Sequence, residues 1–91
     1  MKYYTKRSEI RGFWMFVIDI RNKFNIPLNR CKEIADEIWP SSVECKSNYK
    51  SLANELKEAM LNHVVIEKKP ANILTENIIT RIETIIREKN Y

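Results

Sequence analysis

Residues Ile10 to Phe24 read IRGFWMFVIDIRNKF, and no other stretch of the chain is so apolar. On a wheel of 3.6 residues per turn, Phe13, Val17, Ile20 and Phe24 line one face. Ile10 and Trp14 widen that face on one side, and Phe16 and Ile18 extend its edges. Arg11, Asn22, Asp19 and Lys23 share the remaining strip with Gly12 and Met15. An apolar arc of more than half the circumference has to be covered on several sides. The segment is therefore expected to be a hub around which other helices pack. A buried strand is the competing reading, because aromatic and β-branched residues are common here. The run does not alternate, however, and its helical period continues to Phe24. Phe13 to Ile18 is too short to cross a bilayer, which needs about 20 apolar residues. On the polar strip, Asp19 is expected to pair with Lys23 one turn later, a contact worth about 0.2–0.5 kcal/mol.

The rest of the composition agrees with a helical protein. Ninety-one residues suit one domain, and a chain this size buries enough surface for one modest core. One Gly and three Pro argue against a sandwich or barrel, whose tight turns consume these residues. The expected fold is a compact all-α domain of four helices spanning residues 1–91, with a short basic arm at 1–8. Cys31 and Cys45 are the only cysteines, without CxxC spacing or a companion histidine cluster. They are read as small core residues, so no metal is expected and the thiols stay reduced. The apolar run has bulky aromatics, an internal Asp19 and no small-residue cleavage site, unlike a secretory leader. A cytoplasmic location follows as the expectation. The abundance of Ile, Lys and Asn suits an AT-rich coding sequence, such as a phage or mobile element carries.

Charge is uneven. Residues 1–30 hold seven bases and two acids, whereas residues 31–91 hold nine bases and ten acids. The basic N-terminal part favours an anionic partner. Lys2, Lys6 and Arg7 sit with Tyr3 and Tyr4 in the arm, residue types that meet phosphates and stack on bases. Ser8 suits an N-cap for the first helix, with Glu9 in its first turn. Asn25-Ile26-Pro27 ends that helix, and Pro27 suits the first position of the next.

The second helix is expected over Leu28–Trp39, with Leu28, Cys31, Ile34, Ala35, Ile38 and Trp39 on its core face and Arg30, Glu33 and Glu37 outside. Pro40 stops it. Ser41-Ser42-Val43-Glu44 has the form of a capping box and opens a third helix running to about Asn62. Its core stripe is Cys45, Tyr49, Leu52, Leu56, Ala59 and Met60, continued by His63. Lys46, Lys50 and Lys57 mark one flank, with Ser47 and Asn54 beside them. Glu44, Glu55 and Glu58 mark the other. Val64 to Glu67 is read as loop or as one strand of a small hairpin turning at Lys69–Asn72. Thr75 caps the last helix, whose apolar face is Leu74, Ile78, Ile79, Ile82, Ile85 and Ile86. This face is expected to close the bundle against the first helix. Its alternative use is a homodimer seam over 74–86.

Enzymatic chemistry has little to stand on. His63 is a lone histidine on an apolar stripe, and one glycine cannot build a phosphate loop. Glu33, Asp36 and Glu37 are read as a solvated surface, and Cys45 points inward despite Lys46 beside it. No catalytic residue and no cofactor is expected. The pair of helices at 28–62, joined through Pro40, has the layout of a helix-turn-helix, in which the second helix enters the major groove. CKEIADEIW is similar to the first helix of such units, with Ala35 at the close-packed position. Trp39-Pro40 replaces the usual turn glycine, and Glu44 places negative charge near the start of the second helix. The leading expectation is a small non-catalytic nucleic-acid-binding regulator. Its contacts are Lys2, Lys6, Arg7, Arg11, Lys46, Ser47, Lys50, Asn54 and Lys57. The rival is a protein-binding inhibitor, adaptor or assembly subunit. It rests on apolar residues outside the assigned faces (Met15, Val43, Leu61) and on Trp14 and Trp39, a residue type that dominates interfaces.

Overall fold

The computed structural model describes residues 7–62 and 74–91, with side chains from residue 10 onward. These form four helices: α1 (Arg7–Phe24), α2 (Leu28–Ile38), α3 (Val43–Asn62) and α4 (Glu76–Lys89). A three-residue 3-10 turn, Trp39–Ser41, joins α2 to α3. No strand occurs among the described residues, and the fold is all-α as expected. His63, Val64–Glu67 and Lys69–Asn72 lie outside the described residues.

α1 begins at Arg7, three residues before the apolar run, so Ser8 lies inside the helix and is not its N-cap. Residues 7 and 8 thus belong to α1 and not to the arm. Once a helix is nucleated each added residue gains a hydrogen bond, and Arg and Glu are good helix formers. α1 ends at Asn25, whose left-handed backbone (φ 54°) turns its N–H onto the Arg21 carbonyl at 2.8 Å. Asparagine tolerates this conformation better than most residues. Pro27 serves as N-cap of α2, one position earlier than expected. Its ψ of 145° is extended, and its carbonyl accepts from the N–H groups of Arg30 and Cys31.

α1 is the central element, making its most extensive contact with α3 and its next with α2. It buries Phe13, Phe16, Val17 and Ile20. Cys31, Ile34, Ala35 and Ile38 of α2 meet them, as does Trp39 of the turn. Four rings interlock across the helices: Phe16 lies 6.0 Å from Trp39 and 5.3 Å from Tyr49 between centroids, and Phe13 stands edge-on to Trp39. Gly12, assigned to the polar strip by the wheel, is buried where α1 crosses α3. A Cβ at Gly12 would lie 3.1 Å from the Tyr49 carbonyl carbon and oxygen and 3.2 Å from the Trp39 ring. The missing side chain sets how closely the two helices approach.

The turn consumes one residue more than the capping box allows. Ser41 belongs to the 3-10 turn, where its hydroxyl donates to the Ile38 carbonyl. Ser42 caps α3 instead, its Oγ accepting from the Cys45 N–H at 3.0 Å. That moves Glu44 out of the position from which it would reach back to the cap. α4 starts as read, with the Thr75 hydroxyl accepting from the Ile78 N–H, and ends at Asn90 in the left-handed region. Its Leu74, Ile78 and Ile82 are buried. Its principal helix partner is α2, not α1. The polar edge of that contact explains the choice: Lys89 meets Glu37 at 2.6 Å, the Tyr91 hydroxyl donates to Glu33, and Arg30 lies 4.8 Å over the Tyr91 ring. The Tyr91 hydroxyl, ahead of nearby Arg30, holds the Glu33 carboxyl below its ordinary range. Such exposed pairs set orientation more than stability.

Asp19 meets α3. It is half-buried and accepts a hydrogen bond from the Tyr49 hydroxyl, thirty residues on, in place of the expected pairing with Lys23. Burial, and then the Asp19 carboxylate, push the Tyr49 hydroxyl far above its ordinary value of 10. Ionisation of Tyr49 therefore accompanies unfolding. Its contribution to stability is complete below pH 10 and declines as pH rises beyond that.

Two outcomes follow from the α1–α3 contact. Gly12→Val is expected to cost about 1–3 kcal/mol through overpacking against the Tyr49 backbone, measured as a lower urea midpoint; an unchanged midpoint contradicts the close crossing. Tyr49→Phe is expected to cost roughly 1–2 kcal/mol at neutral pH, the range for losing a hydrogen bond to a partly solvated charge. Above pH 10 the native chain should lose about 1.4 kcal/mol per pH unit more than the variant, as one extra proton leaves on unfolding. Parallel slopes for the two proteins would exclude this role for Tyr49.

Candidate interaction surfaces

The residues expected to meet an anionic partner fall into three groups. Lys2 and Lys6 lie outside the described residues. Arg7 starts α1, and its side chain is not among those described. Arg11 is exposed on the outer side of α1, a half-turn away from the buried Phe16 and Ile20. It shares no element with the other five. Lys46, Ser47, Lys50, Asn54 and Lys57 are together on α3. Their spacing places the three lysines within about 40° of one another around the helix, with Ser47 and Asn54 alongside. Ser47, Asn54 and Lys57 are exposed, while Lys46 and Lys50 are half-buried. Lysine commonly covers apolar surface in this way while its amine stays in water.

The turn before α3 adds a residue that the sequence reading missed. The Lys46 amine donates to the Pro40 carbonyl at 3.3 Å, and Arg81 of α4 donates to Ser41 Oγ at 2.9 Å. Two cations from distant parts of the chain thus sit on neighbouring residues of one turn. Arg81 carries no local signal, since only the docking of α4 brings it there. Glu44, read as an obstacle to an anion, lies about 160° around α3 from Lys46, on the opposite side.

A second surface lies on α1, where the sequence singles out Trp14 but not the residues beside it. Ile10, Trp14 and Ile18, assigned to the apolar arc, are 38%, 41% and 49% exposed. They are spaced one turn apart and form a continuous stripe. The signal was present in the width of the arc, because α2 and α3 cover one broad face of α1 and leave the rest. Of the other residues on which a protein interface was expected to rest, Met15 packs against the core, and Trp39 is fully enclosed. Val43 and Leu61 are exposed. Met60, expected in the α3 core stripe, is exposed too. It lies about 16 Å along α3 from the crossing at Tyr49, where Leu52, Leu56 and Ala59 are themselves only half-buried.

Burial pushes the Cys45 thiol up to about 12, and burial likewise raises Cys31, which donates to the Ile26 carbonyl. Both are therefore protonated and poor nucleophiles at neutral pH. Among the described residues no group of three or more His, Cys, Asp or Glu is placed to hold a metal ion. No described helix is long and apolar enough to cross a membrane. Comparison with known proteins finds no matching family model, no matching curated protein and no matching solved structure.

Proposed function

We propose that the chain is a non-catalytic nucleic-acid-binding domain whose contact surface is the lysine side of α3 together with Arg81. The observation that supports this reading is that Lys46 and Arg81 bond to neighbouring residues of the 3-10 turn, Lys46 itself standing in line with Lys50 and Lys57 on α3. Gathering cations from separate helices on one side raises the local potential and favours a polyanion. The lysines and Arg81 meet phosphates, which position the domain without reading sequence. Exposed Ser47 and Asn54 lie alongside the lysine row and can reach base edges, where Asn pairs with adenine and Ser with either partner. The acidic residue nearest the start of α3, Glu44, faces away and does not oppose the approach.

Four phosphate contacts imply a duplex affinity that falls with salt at a log–log slope of about −3.6. Titration of labelled duplex and single-stranded DNA and RNA at several ionic strengths measures it. Arg81→Gln is expected to flatten the slope by about one, and Lys46→Gln with Lys50→Gln and Lys57→Gln by about three. Binding that ignores salt, or that survives all four substitutions, contradicts the proposal.

A further inference from the structure

The exposed stripe of α1 lies on a different element from the lysine row and has different chemistry. Between residues 10 and 24, the exposed positions of α1 are Ile10, Arg11, Trp14, Ile18, Arg21, Asn22 and Lys23. Three are large and apolar, three are cationic, and none is acidic. The acid of this segment, Asp19, is engaged by Tyr49. Trp14 stands at the middle of the stripe, its ring edge-on to Phe13 below at 5.7 Å. It is therefore held from beneath and open above. Ile10 and Ile18 lie one turn to either side of it. Arg21 continues the row past Ile18, and Arg11 borders it at the other end.

We infer that this face of α1 docks a protein partner, and that the docked element is an amphipathic helix bearing acidic side chains. A row at i, i+4 and i+8 is a ridge about 12 Å long. Such a ridge fits between the side-chain rows of a second helix. A central tryptophan with aliphatic neighbours and an arginine rim is the composition of an interface core. Branched alkyl groups on both sides of Trp14 offer a nucleic acid neither a stacking plane nor a donor. A bilayer would find only three apolar side chains to receive. The charge selects the partner: Arg11 and Arg21 meet carboxylates at the edges of the contact and repel a basic helix. The inference is independent of the nucleic-acid reading, because the two surfaces share no residue.

Two synthetic amphipathic peptides test it, one with leucines and glutamates and one with the same leucines and lysines. Trp14 emission reports docking, since Trp39 is already enclosed. The glutamate peptide is expected to shift the emission to the blue and to bind at least tenfold more tightly than the lysine peptide. Trp14→Ala should remove the shift and weaken binding at least tenfold while the helical circular dichroism persists. Arg11→Glu with Arg21→Glu, both at exposed positions, should reverse the preference between the peptides. Equal binding of the two peptides, binding of neither, or binding indifferent to Trp14→Ala overturns the inference. So does a shift produced by phosphatidylglycerol vesicles and not by the glutamate peptide.

Discussion

The crossing of α1 over α3 at Gly12 is the contact on which the rest of the molecule depends. With no side chain at that point, the two helices approach so closely that a Cβ on Gly12 would stand 3.1 Å from the Tyr49 carbonyl. That approach brings Phe16 against both Tyr49 and Trp39, and it lets the Tyr49 hydroxyl reach Asp19. Trp39 occupies the 3-10 turn, so the same ring cluster fixes where α2 ends and α3 begins. α4 then closes over α2, where Ile78 and Ile82 complete the core. Apolar burial supplies the drive for all of this. The glycine and the tyrosine decide its geometry.

Both proposed surfaces are consequences of that arrangement. The turn has to be where Trp39 places it for Lys46 and Arg81 to reach its neighbouring residues Pro40 and Ser41. α3 has to present its core side to α1 for the lysines to fall on the flank. α1 in turn has neighbours on the face that holds Phe13, Phe16, Val17 and Ile20, which leaves Ile10, Trp14 and Ile18 outside. A segment this apolar is costly to leave partly in water, since each large side chain forgoes about 1.5–3 kcal/mol of burial if fully exposed. Retaining three such residues in a row beside arginines, rather than scattered singly, is the arrangement of a contact surface.

Local signals were legible in the sequence, and long-range ones were not. The number of helices, the ends at Asn25 and Pro40, the Thr75 cap and the inward Cys31, Ile34, Ala35 and Ile38 of α2 follow from periodicity and capping chemistry, whereas Leu28, read on the same face, is exposed in the first turn. The same rules misplaced the α3 cap by one residue, because Ser41 and Ser42 are equivalent until the 3-10 turn takes one of them. Asp19 was matched with Lys23, since a wheel sees only its own helix, and Gly12 was set on the polar strip for the same reason. The α1 arc leads one to expect cover on several sides, because periodicity measures how wide an apolar face is and not how many neighbours arrive to cover it. Arg81 could not be joined to Lys46 without knowing that α4 packs on α2.

The central claim is that α1 is enclosed on one side and open on the other, and the two tryptophans report on the two sides. Acrylamide quenching of the native chain and of Trp14→Phe separates them. The account predicts that the native protein shows one readily quenched and one protected population. In Trp14→Phe only the protected, blue-emitting Trp39 should remain, consistent with its 1% exposure. Ready quenching of Trp39, or a Trp14 as protected as Trp39, would contradict the packing of α1 described above.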